Sequence, residues 1–283
     1  MNFSNSNATT KSLAKGSYVK YNISYEGAPS GEAETRSVIG DYYCQDGSIY
    51  PSGLAAVPDN VIGIVFSTVG DADFGENTSY EYYVVSVKER NAMGFLVPGN
   101  KEQLAGSNVN IEGIPNVDSK TQAGFESCLN DMSGLESTNV LRKLEYNIAL
   151  DLDKNWTNDE DFKILSTGTT GWFIPSAGQW AKLVDIVTNE DVTLFYESTP
   201  KLTTGKDDSR VYDRMKELLD VLDIDTESKS FDKCCWGLTQ AETITEGEAV
   251  NSRLYCLDIS NKKFEITLQK KDSKRYLRPI LAF

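Results

Sequence analysis

The order in which apolar patterns follow one another constrains the fold of this chain more than any single motif does. Short apolar runs of strand length come first, stripes with helical spacing occupy the middle, and short apolar runs return at the end. Strands and helices grouped in this way, rather than strictly alternating, are typical of an α+β fold with a largely antiparallel sheet. We therefore predict that fold class for the chain.

The strand predictions rest on apolar runs that are bounded by turns. Residues 61–66 (VIGIVF) are continuously apolar, as expected for a strand that is buried on both faces. Asp46-Gly47 predicts a hairpin turn, residues 260–263 predict a second hairpin loop, and polar residues 99–124 predict a long loop. The remaining predicted strands are residues 40–43, 81–87, 253–259, 264–268 and 278–283.

The middle of the chain predicts helices. They cover residues 138–150, residues from Pro175 onward, and residues 209–222. The second has the clearest start, because Ser176 can cap it while Gln179, three residues later, completes a capping box. The first has an apolar stripe of Leu141, Leu144 and Ile148.

The first 37 residues differ from the rest of the chain. Residues 14–25 alternate between a polar and a more apolar face, as a strand does, and residues 26–37 have the composition of a linker. We therefore divide the chain into a lead-in strand and linker, residues 1–37, and a single domain, residues 38–283.

Charge and histidine content exclude several functions. Asp plus Glu outnumber Lys plus Arg by 42 to 28, so the net charge is −14, and a chain this acidic repels the phosphates of nucleic acids. The sequence contains no histidine, which excludes a Ser-His-Asp triad, a histidine general base and histidine-ligated metals. No apolar run approaches the roughly 20 residues that span a membrane.

Metal and cysteine patterns are weak. Residues 151–161 begin like a calcium loop, but Trp156 replaces the turn glycine and Phe162 replaces the bidentate glutamate, so we predict neither a metal nor a cofactor. The five cysteines lack CxxC spacing and predict buried thiols. Cys256 could approach Cys234 or Cys235 across the final hairpin and form a disulfide if the protein is exported.

Four motifs occur in order along the chain: IGDYYCQDGS at residues 39–48, DMSGLEST at 131–138, GWFIPSAGQW at 171–180 and RPILAF at 278–283. This ordered set resembles the C-type lectin-like domain found at the C-terminal end of gut-bacterial surface and fimbrial proteins. The resemblance implies that the first and last strands pair, that helices flank the sheet, and that Trp172, Pro175 and Trp236 lie in the core. It departs at residues 234–240, CCWGLTQ, where relatives have a Tyr-Trp-Ser-Ser-Thr-Glu-like strand.

The resemblance also implies a function and a location. It indicates a non-enzymatic binding domain of a bacterial cell-surface or fimbrial-tip adhesin, with a glycan, a host or bacterial surface protein, or pilus subunits as partners. No signal segment opens the chain, so this location requires a leader or upstream region outside the sequence. An upstream pilin-like domain would explain the lead-in strand, as would a strand that docks on a neighbouring subunit.

Polar loops near the final hairpin are the predicted ligand-binding surface. We predict that ligand contacts are made by Thr239, Gln240, Glu242, Asn251 and Arg253. The polar loop containing Asn100, Asn108, Asn110 and Asn116 is a further candidate. The stretch from Lys262 to Arg278 is locally basic and could attract an acidic glycan or partner, or it could be a solvated hairpin with lysines on its edges.

Two other functions remain open. Lectin-like domains also serve as variable receptor-binding proteins of phages and diversity-generating cassettes, and a neighbouring reverse transcriptase gene would favour that role. An enzyme based on paired carboxylates or on Cys234 and Cys235 would require a deep pocket with converging acids or an exposed thiol.

Overall fold

A computed structural model describes residues 39–51, 58–68, 80–92, 110–118, 121–188, 195–197, 201–203, 234–243, 251–258, 265–271, 273 and 275–283. The strands are β1 (Tyr42–Cys44), β2 (Ile49–Tyr50), β3 (Val61–Thr68), β4 (Tyr82–Ser86), β5 (Arg90–Ala92), β6 (Asn116–Val117), β7 (Phe195–Glu197), β8 (Lys201–Thr203), β9 (Cys234–Thr243), β10 (Asn251–Asp258), β11 (Glu265–Lys270), β12 (Arg275–Leu277) and β13 (Ile280–Ala282). The helices are α1 (Gln122–Leu129), α2 (Gly134–Lys143), α3 (Asn147–Leu152) and α4 (Ala177–Thr188), and a π-helical turn (Asp153–Thr157) follows α3. This mixture of helices and mainly antiparallel strands agrees with the predicted α+β class.

The first sheet has five strands in the order β13-β4-β3-β1-β2, and every pair is antiparallel. The predicted turn at Asp46-Gly47 is confirmed, since it joins β1 to β2 and Gly47 has a φ of +86°. The implied pairing of the first and last strands is wrong. Both edges of β1 are occupied, by β2 and β3, and the last strand instead pairs with β4, with Leu281 opposite Val84.

The second sheet has the order β5-β12-β9-β10-β11-β8-β7, with β6 placed beside β9. The β10–β11 hairpin confirms the predicted strands on either side of residues 260–263, and its register runs from Arg253 opposite Lys270 to Asp258 opposite Glu265. Only two of the pairings among the described strands are parallel, β12 with β9 and β6 with β9.

Two apolar clusters fill the space around the sheets. All four tryptophans are buried, which confirms the predicted core positions of Trp172 and Trp236, and Pro175 is buried as well. Burial leaves the indole N–H in need of an acceptor. Trp156 donates to Ser86 Oγ at 2.9 Å, Trp172 to the Phe162 carbonyl at 2.8 Å, and Trp180 to the Trp236 carbonyl at 3.0 Å.

The helices differ in part from the prediction. The predicted helix over residues 138–150 is broken between α2 and α3, where Glu145 has a φ of +56° and Leu144 is 45% exposed rather than part of an apolar stripe. Helix α1 begins at Gln122, inside the loop that was predicted to run to residue 124. The capping box of α4 is confirmed, because Ser176 N–H donates to Gln179 Oε1 at 2.9 Å and Gln179 N–H donates to Ser176 Oγ at 3.3 Å.

The calcium-like segment forms the end of α3, the π-helical turn and the loop that follows. Asp153 pairs with Arg142 at 2.8 Å and Asp159 pairs with Lys88 at 3.0 Å, so these carboxylates balance nearby cations. Among the described residues, no cluster of three or more Cys, Asp or Glu side chains is arranged to hold a metal ion.

Four of the cysteines, Cys44, Cys128, Cys235 and Cys256, are buried and belong to no disulfide. The possible disulfide between Cys235 and Cys256 is therefore not formed, and the side chain of Cys234 lies outside the described residues. No described helix has the length and apolar character of a membrane span. The strand predicted in residues 14–25, the helix predicted at 209–222, and Asn100 and Asn108 lie outside the described residues, and the domain division between residues 37 and 38 stays a prediction.

Candidate functional site

The predicted ligand-binding residues lie at one end of the eight-stranded sheet, where β9 and β10 pair. Thr239, Gln240 and Glu242 belong to β9, which runs to Thr243, so the predicted loop is a strand at its start. Asn251 and Arg253 begin β10, with Asn251 opposite Thr243 and Arg253 opposite Ala241. The structure therefore brings the five residues together, although it does not give all of them the same exposure.

Thr239 faces the interior rather than a ligand. Its side chain is fully buried, its hydroxyl donates to Asp131 Oδ2, and it accepts a hydrogen bond from the Ala177 N–H at 2.9 Å. Asp131 belongs to the turn before α2 and Ala177 is the first residue of α4. Thr239 thus connects β9 to both helical segments, and the predicted ligand contact is replaced by a structural one.

Gln240 is also fully buried and holds a surface segment in place. Its Nε2 donates to the carbonyls of Ile111 at 2.9 Å and Ile114 at 3.0 Å, and its Oε1 accepts from the Ile111 N–H at 2.8 Å. Lys271 Nζ donates to the same oxygen at 2.6 Å. Because these bonds satisfy the amide from inside the protein, Gln240 positions residues 110–118 instead of contacting a ligand itself.

Residues 110–118 form the polar surface that Gln240 anchors. Ile111 and Ile114 are buried beneath the segment, and Val117 pairs with Ala241 of β9. The polar residues between them are exposed: Asn110, Glu112, Asn116 and Asp118. Asn110 and Asn116 of the predicted polar loop are therefore exposed, and their contact with a ligand stays a prediction.

Two cations stand side by side on β10 and β11. Arg253 is directly opposite Lys270, so the two side chains project from the same face of the sheet. Lys270 is exposed and Arg253 is half-buried. The Arg253 Nε is enclosed and has no hydrogen-bond partner, and in the described part of the chain neither cation forms an ion pair.

The predicted basic stretch from Lys262 to Arg278 is not a uniform surface patch. Lys271 is 2% exposed, and burial lowers the pKa of its ammonium group to about 7. Arg278 is fully buried and donates to Glu89 at 2.6 Å. Of the two described lysines in this stretch, Lys270 is therefore exposed to solvent and Lys271 is not. Lys262, Lys263 and Lys274 lie outside the described residues.

The pairing of the strands separates the two faces of this end of the sheet. One row across the strands contains Val117, Ala241, Arg253 and Lys270, and the next row contains Asn116, Gln240, Leu254 and Gln269. Adjacent rows face opposite sides of a sheet. Arg253 and Lys270 therefore lie on the opposite face from the Gln240–Lys271 hydrogen bond.

Lys270 was not among the predicted site residues, although the sequence contained a signal for it. A hairpin whose loop is residues 260–263 places residue 259 opposite 264, and the same register carried along the strands places Arg253 opposite Lys270. No local pattern marked Gln240 or Thr239 as buried. We use the name sheet-end site for residues 110–118 together with Arg253 and Lys270.

Comparison with known proteins shows a similarity in structure but not in sequence family. No family model matches the chain, and no curated protein matches it. Among solved structures, the crystal structure of a fimbrial protein from Bacteroides ovatus ATCC 8483 is similar, with a TM-score of 0.54 and 18% sequence identity. The match covers 88% of this chain and 49% of that protein, so the chain spans about half of the length of the fimbrial protein. At this identity the similarity shows a shared fold.

Proposed function

We propose that this chain is the ligand-facing part of a bacterial cell-surface or fimbrial adhesin and has a C-type lectin-like fold. The observation that carries the proposal is the likeness in fold to a fimbrial protein over 88% of the chain. The sequence motifs support the same interpretation, and cell-surface location and pilus subunits as neighbours follow from it as part of the proposal.

The sheet-end site is the proposed ligand-binding surface. It comprises an exposed polar segment at the edge of the sheet, residues 110–118, and a half-buried cation on the face opposite the Gln240 side chain, Arg253, which has no ion-pair partner among the described residues. Asn251 and Glu242 flank Arg253 in the strand pairing and remain predicted contacts. Thr239 and Gln240 are positioning residues, because they hold α4 and residues 110–118 against β9.

Several reactive groups among the described residues are buried or already engaged. The four described thiols are buried, and the pKa of the Cys44 thiol is raised by burial to about 11, so that it is protonated at neutral pH. Asp153 and Asp159 are each engaged with a cation. The cysteine-based and carboxylate-based alternatives therefore gain no support from these residues.

The proposal is tested by a binding screen with the full chain. An array of glycans and a panel of purified extracellular-matrix proteins are the ligands, and R253A is compared with K143A, which removes an exposed lysine at the end of α2. We expect at least one specific ligand whose binding falls in R253A and not in K143A. Background binding to both panels would contradict the proposal.

A further inference from the structure

We propose that the sheet-end site binds an acidic glycan through a single oxyanion group, a carboxylate or a sulfate, held jointly by Arg253 and Lys270. This inference rests on the proposed binding function and specifies its ligand. It concerns two side chains that the register of the final hairpin places directly opposite each other.

The arrangement of the two cations favours a shared counter-ion. Residues directly opposite in antiparallel strands have Cβ atoms about 4.5–5.5 Å apart, and like charges in this relationship repel each other. The chain carries 42 acidic residues, yet neither Arg253 nor Lys270 has an acidic partner among the described residues. An anion bound between Arg253 and Lys270 would offset the electrostatic repulsion between these two side chains.

Arg253 supplies the more specific evidence. Its Nε is enclosed and makes no hydrogen bond, although the rest of the side chain is only half-buried. A buried donor that is left unsatisfied is costly, so such a group marks a place where a partner is missing. A guanidinium group presents its N–H donors in a planar fork that fits the oxygens of a carboxylate or a sulfate, and the neighbouring lysine adds a mobile positive charge.

The surroundings favour a glycan over a protein partner. The cores of protein interfaces are anchored by large apolar and aromatic side chains. In the described part of the chain the exposed large apolar residues are Ile39, Leu144, Leu150 and Leu165, and none of them lies on β9, β10, β11 or residues 110–118. The sheet-end site thus offers charge and polar groups without an apolar anchor, which suits a hydroxyl-rich ligand.

A nucleic acid is disfavoured as the source of the oxyanion. Binding to a phosphate backbone requires many cations along its length, and repulsion grows with the negative charge of the protein. The protein has a net charge of −14, and the site offers one pair of cations. A glycan that is mostly uncharged and carries an isolated anionic group fits these charges better than a polyanion does.

The test measures binding of the full chain to four polymers by biolayer interferometry. Dextran sulfate of low substitution carries isolated sulfate groups, highly methyl-esterified polygalacturonate carries isolated carboxylates, unmodified dextran is the neutral glycan, and poly-L-glutamate is the acidic peptide. R253Q/K270Q removes the cation pair. K143Q/K154Q is the matched control, because it changes the net charge equally at two exposed lysines outside the site.

We expect the wild-type chain to bind dextran sulfate or polygalacturonate, and not dextran. We expect R253Q/K270Q to weaken that binding at least tenfold and K143Q/K154Q to leave it within twofold. R253K keeps the charge but loses the planar fork, so we expect it to bind measurably more weakly than the wild type. The preference between the two acidic glycans identifies sulfate or carboxylate as the recognised group.

Several outcomes would overturn the inference. They are equal binding to dextran and dextran sulfate, an equal loss in both double variants, stronger binding to poly-L-glutamate than to either acidic glycan, and no binding to any acidic polymer. The proposed function fails separately, when the broader screen finds no ligand at all. Binding of a neutral glycan alone would agree with the proposed function but would contradict the inference that an oxyanion is recognised.

Discussion

Gln240 Oε1 accepts a hydrogen bond from Lys271 Nζ at 2.6 Å, and both side chains are almost completely removed from solvent. The same oxygen accepts the Ile111 N–H at 2.8 Å, so one buried amide connects β9, the residue after β11 and the exposed segment 110–118. Residues 110–118 of the sheet-end site are therefore held by a buried polar contact, and this contact lies on the face of the sheet opposite Arg253 and Lys270.

Replacing Gln240 with alanine should destabilise the protein and loosen residues 110–118. The change leaves the Ile111 N–H and the Ile111 and Ile114 carbonyls without their buried partner, and buried polar groups that lose a partner cost about 1–3 kcal/mol each. We expect the free energy of unfolding in urea to fall by about 3 kcal/mol, and amide hydrogen exchange at Ile111 to accelerate. K143A, on an exposed helix end, should change the stability by less than about 0.5 kcal/mol. Equal stability of Q240A and wild type would show that the amide does not anchor the segment.

The stability of the protein should depend on pH through Lys271. Burial lowers the pKa of this lysine from its ordinary value of 10.5 to about 7 in the folded state. Between these two values Lys271 holds more protons in the unfolded chain than in the folded chain, so this residue makes the free energy of unfolding rise with pH, by at most about 1.4 kcal/mol per pH unit. The thiols of Cys44 and Cys128, whose pKa values burial raises, act in the opposite direction above about pH 8, so the rise should be seen from about pH 7 to 8.

The variant K271M tests this pH dependence. It should lower the slope of stability against pH between about pH 7 and 9.5 in urea titrations, because methionine does not titrate, and K143M should keep the slope of the wild type. If K271M and the wild type showed the same slope over that range, Lys271 would not be the group that titrates.

The local parts of the fold could be predicted from the sequence. The capping box of Ser176 and Gln179, the Asp46-Gly47 turn and the β10–β11 hairpin each depend on residues that are close together in the chain. The α2–α3 break was missed, because the residue with positive φ there is Glu145, and only a glycine or asparagine would have signalled it.

The candidate site was harder to predict because its polar residues are satisfied from far away in the sequence. Thr239 bonds to Asp131, 108 residues earlier, and Gln240 bonds to Ile111, 129 residues earlier. Without knowledge of these distant partners, polar residues near a hairpin are predicted to lie in an exposed loop. Arg253 was predicted as a contact for the same local reason, and its side chain is half-buried, whereas those of Thr239 and Gln240 are fully buried.

The buried thiols should resist alkylation in the native protein. Burial raises the pKa of the Cys44 thiol to about 11, with Asp46 adding to the rise, and burial raises the pKa of Cys128 as well. Because the thiolate is the reactive form, iodoacetamide at pH 7.5 should leave Cys44, Cys128, Cys235 and Cys256 unmodified until urea unfolds the chain. Peptide mass spectrometry before and after unfolding measures this, and native labelling of Cys256 or Cys235 would contradict their buried positions.

The ion pair between Arg278 and Glu89 should be among the most costly contacts to break. Arg278 donates to Glu89 Oε2 at 2.6 Å and to the Ser86 carbonyl at 2.9 Å, and both charged side chains are at most 1% exposed. Removing one partner strands a charge in the interior, so we expect R278M to lose about 3–5 kcal/mol of stability. The double variant R278M/E89L should recover much of that loss, because it removes both charges. D159N, which breaks the partly exposed Lys88–Asp159 pair, should cost at most about 1 kcal/mol. Urea unfolding of the wild type, R278M, R278M/E89L and D159N measures these differences.

A double variant that is less stable than R278M would contradict the prediction, because it would show that Glu89 makes stabilising contacts besides its pair with Arg278.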